Sequence, residues 1–379
     1  MSAPAAAAAS LAARPVPRRN DGLDVARSLA ILLVLVSHFL NPLAEWGPDY
    51  AYGLGFTGAA GVNIFFSLSG FLIGRLLLTL ADHGLGGAGI PVFWARRWLR
   101  TLPLYYVVLT FMVLYFGIPS AGSYLFLQNF TFGQPQPLIV AWSLVLEEFF
   151  YLFYPLLMLA AAAVVPGRRA VVAVSLSLIV LCNAARWAVS HWHLPVEWPS
   201  MNPFLRLDCC AYGVLAACAV AGGSREAWLR RWAPVILPAA ALLILGQGAV
   251  TVGLATPGFV EAIRFGAWGE LWLTLDCMWV PAVAAVAIPA LAAAAPVLPG
   301  LAGFAVRQVS LLSYALYLVH TVVVAVLGPI LTPWLAKTPA TIVVALASVL
   351  AAWVLNHAVE RPFLRLRDRF VPDVRGAPA

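Results

Sequence analysis

LDVARSLAILLVLVSHF, residues 23–39, is an apolar run interrupted by an acid, an arginine and a histidine. A helix that crosses a membrane needs about 20 mostly apolar residues, and this run with its neighbours is long enough. Arg27 and His38 are eleven positions apart. On an α-helix that separation is three turns and about 20°, so both side chains leave the same face. Asp24 stands one turn before Arg27 on that face. Ionisable groups in a membrane helix are costly and point into protein or a wet cavity. The stretch therefore predicts a membrane helix that lines a site.

The rest of the chain fits a membrane setting. Of 379 residues, 62% are hydrophobic and 10% charged, and the mean hydropathy is +0.89. Soluble domains carry about 25% charged residues. The composition reads as an all-α integral membrane protein with about ten spans: residues 23–43, 58–80, 101–118, 138–165, 170–190, 203–223, 233–253, 271–295, 311–330 and 339–359. With the N-terminus inside, nineteen of the 23 Lys and Arg residues fall on the cytoplasmic side. Only Arg186, Arg206, Arg264 and Lys337 fall on the other. Ten spans return the C-terminus, with Arg361, Arg365, Arg367, Arg369 and Arg375, to the cytoplasm. Topology thus accounts for the net charge of +7, and no nucleic-acid partner is expected. Residues 1–20 read as a flexible cytoplasmic tail, 21–363 as the membrane domain and 364–379 as a short basic tail. The five cysteines (Cys182, Cys209, Cys210, Cys218 and Cys277) lie in apolar runs without zinc spacing and read as small buried residues.

Further polar groups lie within the apolar segments. GVNIFFSLSGFLIG (61–74) holds Gly61, Gly70 and Gly74 with Ser67 and Ser69, a composition that lets helices approach closely. FWARRWLRTLPLYY (93–106) opens the third span; Arg97 and Arg100 share a face and could grip phosphate oxygens, while Arg96 points elsewhere. AWSLVLEEFFYLFYPLL (141–157) puts Glu147 and Glu148 about 15 Å deep, so at least one must face a polar interior. SLLSYALYLVH (310–320) sets Ser313, Tyr317 and His320 on one face near mid-membrane. Glu360 and Arg361, in NHAVERPF, read as anchors at the cytoplasmic edge. His191 and His193 are not expected to hold a metal, and no metal site is predicted.

These segments together resemble the membrane-bound acyltransferase family 3. The resemblance runs from about residue 20 to 363 and rests on the order of its stretches: LDVARSLAILLVLVSHF, GVNIFFSLSGFLI, ARRWLRTLPLYY, WSLVLEEFFY, FLRLDCCAYGVLAA and SYALYLVH. Arg27 to His38 looks like the family's arginine-x10-histidine signature, and Arg97 to Arg100 like its RxxR signature. Glu147 matches the glutamate of its WSLxxE motif, with Glu148 as a common neighbour. Asn63 stands where many relatives carry Asp. Many relatives append a periplasmic SGNH-type domain. None follows the last span here, which leaves acceptor handling to the membrane domain or a partner.

The resemblance implies transfer of an acyl group, commonly acetyl, from a coenzyme A thioester to a hydroxyl of a carbohydrate or other acceptor. Acyl-CoA would be a co-substrate rather than a resident cofactor. His38 would deprotonate the acceptor, Glu147 would orient or charge-balance it, and Arg97 and Arg100 would bind the donor. Arg27 would bind donor or fix Asp24. Glu148, Ser313, Tyr317 and His320 would support the site. Direct transfer and an acyl-histidine intermediate both stay open. The expected acceptor is an extracytoplasmic or lipid-linked glycan, with a small molecule or another lipid as alternatives, and the expected location is the bacterial inner membrane among its lipids. The rival from another class is a transporter or flippase, because buried charge among ten spans also suits a pathway.

Overall fold

The computed structural model describes residues 19–40, 48–83, 89–130, 136–194, 196, 199–223, 225–254, 267–296 and 298–372. Among these, every regular element is a helix. In chain order the main ones are α1 (Asp21–Leu40), α2 (Pro48–His83), α3 (Gly89–Phe116), α4 (Trp142–Ala162) and α5 (Arg168–His191). They are followed by α6 (Asp208–Val220), α7 (Glu226–Leu254), α8 (Ala267–Ala294), α9 (Gly300–Leu331), α10 (Lys337–Leu355) and α11 (Arg361–Phe370). A π-helical turn, Asn356–Glu360, joins the last two. Among the described residues nine helices are long and apolar enough to cross a membrane, the run from α10 through α11 counting as one. The chain is an all-α, multi-pass membrane protein. Arg264 of the sequence reading lies outside the described residues.

The sixth expected span, 203–223, is not a 20-residue helix. The chain makes two 3-10 turns, Pro199–Met201 and Pro203–Leu205, and then the 13-residue α6. Asn202 caps the second turn by accepting from the Phe204 N–H, and Pro203 has no N–H that would need a partner. The turn turns two charges inward. Asp208 at the start of α6 and Arg186 near the end of α5 are fully buried and share two hydrogen bonds of 2.7 and 3.0 Å. Arg206 is also buried and donates to Asn63 Oδ1 at 2.6 Å and to the sulfurs of Cys209 and Cys277. A continuous helix through 203–207 would not supply these contacts. Asn63 thus serves as the oxygen acceptor for Arg206.

Side-chain contacts hold the described residues at both ends of the helix bundle. Asn20 accepts from the Leu23 N–H and so caps α1, while its amide donates to the Ala292 carbonyl of α8. Arg19 pairs with Asp24. At the other end, residues 361–370 form α11, which packs on α3. Arg96 holds its end by donating to the carbonyls of Val371 and Pro372, at 2.9 and 3.2 Å. Arg96 does point away from Arg97 and Arg100, as its position on the helix predicted.

In lipid the hydrophobic effect does little to drive helices together, so close backbone approach and polar contacts must do so. The glycines of α2 and α6 provide the approach. A Cβ on Gly70 would lie 1.9 Å from the Cys210 carbonyl oxygen, and one on Gly213 would lie 2.0 Å from that of Ser67. Ser67 closes the third side by donating to the Pro281 carbonyl of α8 at 2.7 Å. In contrast α7 is mostly exposed, with Leu242 and Leu245 among its bare apolar side chains, as a lipid-facing helix should be.

We expect Gly70→Val and Gly213→Val each to lower the thermal midpoint of the detergent-purified protein, because backbone would have to move; overpacking typically costs about 1–3 kcal/mol. Gly246→Ala, where an added Cβ meets nothing within 4 Å, should leave the midpoint unchanged or raise it. Fluorescence-detected melting would check both, and equal midpoints for Gly70→Val and wild type would refute the packing account.

Candidate active site

Residues from α1, α2, α3, α4 and α9 line one cavity of about 150 Å³. Its polar wall is made by Arg27, Ser69, Arg97, Arg100, Ser143, Glu147, Ser313 and Tyr317. The four arginine and glutamate side chains named from sequence therefore meet, although they come from three helices. Phe65 and Phe66 of α2 and Leu144 of α4 supply part of the apolar remainder.

Behind the polar wall stands Tyr151, fully buried on α4. Its hydroxyl has one proton, which it donates to Glu147 Oε2 at 2.8 Å. It accepts from Arg97 Nη2 and pairs with Ser69 Oγ, each at 2.6 Å. With its own proton on Glu147, Tyr151 must take the Ser69 proton. The Arg97 guanidinium also lies over the Tyr151 ring, 4.3 Å from its centroid. Tyr151 thus links a cation, Arg97, to an anion, Glu147. The sequence reading passed over it. The signal was present: Ser143, Glu147 and Tyr151 are spaced by four, which makes one stripe along α4.

Glu148 points to the neighbouring face. It is buried, is not part of the cavity wall, and accepts from Thr101 Oγ1 at 2.8 Å. One glutamate of the pair therefore faces the cavity and the other fastens α4 to α3. Tyr314 reinforces the same seam by donating to the Thr101 carbonyl at 2.6 Å.

At the arginine-rich end Asp24 is buried under three groups. Arg19 pairs with it, Ser310 Oγ donates at 2.6 Å, and Arg27 Nη1 stands 3.7 Å away. Arg27 also donates to Ser310 Oγ at 3.2 Å. Arg27 both borders the cavity and steadies Asp24. Among the described residues no hydrogen bond is found to the guanidinium of Arg100, and Nε of Arg97 is buried without a partner. Glu360 is not a surface anchor, contrary to the sequence reading. The π-turn brings it inside, where it is buried and accepts from Asn356 Nδ2 at 2.7 Å, with Arg100 and Arg27 among its charged neighbours.

His38 is not on the cavity wall. It lies beside His320, with ring centroids 4.9 Å apart and planes at 72°. The His320 ring is in turn 6.1 Å from that of Tyr317, which does border the cavity. Each imidazole has Nδ1 at 2.9 Å from a carbonyl one turn back, Val34 for His38 and Leu316 for His320. A carbonyl only accepts, so each Nδ1 carries the hydrogen and the basic lone pair of the neutral ring is on Nε2. His320 is fully buried, and its Nε2 has no partner. Glu147 and His38 have separate hydrogen-bond partners, Tyr151 and Val34. Ser313, Tyr317 and His320 share a face of α9 as their spacing predicted. Ser313 Oγ donates to the Ser310 carbonyl, and Tyr317 Oη donates to the Val140 carbonyl at 2.7 Å and pairs with Ser143 Oγ at 2.5 Å.

The sequence matches the family model of acyltransferase 3, described as an acyltransferase domain, over residues 20–357, and the chain belongs to that family. It is 29% identical over 221 residues to the peptidoglycan O-acetyltransferase of Listeria monocytogenes, covering 52% of this chain and 33% of the relative. It is 30% identical over 161 residues to an O-acetyltransferase of Staphylococcus aureus, covering 37% of this chain and 25% of the relative. The chain thus spans about a third or less of the length of these curated relatives. No solved structure matches. Membership places the chain with acyltransferases rather than with the transporters that its buried charges also suited.

The network makes a prediction about Tyr151. Tyr151→Phe keeps the ring under Arg97 but removes the hydroxyl that joins Arg97, Ser69 and Glu147. A buried polar group left unpaired costs about 1–3 kcal/mol. The variant should therefore melt earlier than wild type, and Glu147→Gln combined with it should cost less than the sum of the two single changes. Strict additivity in that double-mutant cycle would show that the three groups do not act as one unit.

Proposed function

We propose that this protein is an integral membrane O-acyltransferase that moves an acetyl group from acetyl-CoA to a hydroxyl of a cell-surface carbohydrate. The observation that carries the reading is the single cavity with Arg27, Arg97 and Arg100 along one wall and Ser143 and Tyr317 further along. Clustered guanidiniums suit a phosphorylated donor, because Arg presents paired N–H groups that fit phosphate oxygens. The arginine-rich end then faces the cytoplasm, where acyl-CoA is, and the membrane is the bacterial inner membrane. The relatives' names supply the acceptor class, of which peptidoglycan is one member.

In this reading His38 is the general base. Its Nδ1 hydrogen is fixed on Val34, which leaves Nε2 to accept a proton. The acceptor hydroxyl gives that proton to Nε2 as its oxygen bonds to the acyl carbon. The carbon–sulfur bond then breaks and the proton leaves with the coenzyme A thiol. Glu147 does not touch His38; it balances the charge of Arg97 through Tyr151. Ser313 and Tyr317 border the cavity, and the Tyr317 ring leads through His320 to His38.

Proteoliposomes containing wild-type protein should transfer radiolabelled acetyl from acetyl-CoA to a surface-glycan extract as base-labile ester. His38→Ala should lower the turnover about 10²–10⁴-fold, the range of general acid–base catalysis, while coenzyme A still binds. Full turnover by His38→Ala would remove His38 from the chemistry. Labelled acetyl trapped on the wild-type chain in an acid-stable, base-labile form would replace direct transfer by an acyl-enzyme route.

A further inference from the structure

Helix α11 leaves two unlike stripes uncovered. Phe363, Leu366 and Phe370 follow a 3-then-4 spacing, share one face and are all exposed, Phe370 at 66%. Arg365 and Arg369, four apart, share an adjoining face and are also exposed. The remaining face, with Leu364 and Arg367 half-buried, is the one that packs on α3. The helix has a single acid, Asp368, and its Oδ1 takes Arg96 Nη2 at 3.3 Å and Arg367 Nη2 at 2.7 Å. Among the described residues no carboxylate pairs with Arg365 or Arg369. The Arg369 guanidinium instead lies over the Phe370 ring, 5.3 Å from its centroid.

The place of the helix decides what meets these stripes. α10 and α11 form one run through the π-turn, so α11 emerges directly from a membrane span. Trp353 in the last turn of α10 and Trp98 on α3 are both exposed. Exposed tryptophans of membrane helices gather at headgroup level. The far end of α11 is held near that level, because Arg96, two residues before Trp98, donates to the Val371 and Pro372 carbonyls. A helix with an apolar stripe beside a basic one, kept at the bilayer surface, fits anionic lipid. We propose that α11 is a membrane-surface helix that binds the anionic phospholipids of the leaflet at the arginine-rich end. Phe363, Leu366 and Phe370 enter the acyl-chain boundary, and Arg365 and Arg369 meet the headgroup phosphates. This surface is separate from the cavity and does not depend on the donor or the acceptor assigned above.

The test is hydrogen exchange of segment 361–372 in the purified full chain, in nanodiscs of phosphatidylcholine alone and of equal parts phosphatidylcholine and phosphatidylglycerol. In wild type the anionic discs should slow exchange about fivefold per exposed arginine, from roughly 1 kcal/mol for each basic residue at such a surface. High salt should remove the difference. Arg365→Gln combined with Arg369→Gln should abolish it. Arg365→Lys combined with Arg369→Lys should keep most of it, because headgroup attraction follows charge, and this separates lost attraction from a misplaced helix. Leu366→Ser should speed exchange in both lipids alike. The buried helix α2 should exchange alike in every variant if the bundle is intact. Equal rates for wild type in the two lipids would overturn the proposal, and so would a difference that survives the double Gln change. Slowing that follows the number of protein copies per disc rather than the phosphatidylglycerol would overturn it too, and would assign the apolar stripe to a second copy of the chain.

Discussion

A charged side chain withdrawn from water must find its counter-charge or a full set of hydrogen bonds within the protein. In a membrane core that demand is severe, because an unpaired buried ion is penalised by several kcal/mol even after relaxation. The Arg97–Tyr151–Glu147 unit answers it with an arrangement that leaves both charges usable. A direct ion pair would satisfy Arg97 and Glu147 and close the wall. The interposed phenol satisfies each at one point, and both side chains still border the cavity. The same demand explains why α3, α4 and α2 meet where they do: Ser69 of α2 completes the unit, and Thr101 of α3 takes the other glutamate.

The site is therefore graded along its length. Near the arginine-rich end the groups are cationic and lightly bonded, and Asp24 and Glu360 hold them apart without neutralising them. Farther in, the polar atoms are hydroxyls whose protons are already committed, as with Tyr317 on Val140 and Ser143 on Tyr317. Beyond these come two imidazoles, each with one nitrogen tied to its own helix. A phosphorylated end and a reactive acyl end of one ligand would meet different surroundings at the two places.

Much of this was legible because helices impose simple periods. The eleven-residue spacing of Arg27 and His38, the RxxR pair and the 4-then-3 spacing in α9 each predicted shared faces, and the shared faces are present. Other features could not be read that way. The Arg186–Asp208 pair joins residues 22 positions apart across an irregular turn, and no helical period connects them. The sixth segment looked long enough to span because Arg206 and Asp208 are sparse interruptions in an apolar run, yet their burial needs the turn that shortens the helix. Glu360 reads as an anchor because it stands beside Arg361 at the cytoplasmic edge of the last span. The π-turn there shifts the period and rotates the glutamate inward. His38 and His320 were each noticed, but their contact depends on how α1 and α9 cross, which a single sequence does not record. Tyr151 was missed for a different reason: it is one step of four beyond Glu147, and among so many aromatic residues it looked like packing.

The short α6 has a consequence for how the protein is made. Thirteen residues rise about 20 Å, less than the roughly 30 Å of a hydrocarbon core. The helix also begins with an aspartate whose counter-ion sits at the end of the preceding helix. Neither partner is suited to meet lipid alone. During synthesis α5 and α6 must thus leave the insertion machinery as one hairpin, with the Arg186–Asp208 bond already closed and α2 in place to receive the bare backbone around Gly213. The order of biogenesis is written into a single ion pair: the second helix of the bundle waits, and the fifth and sixth arrive together.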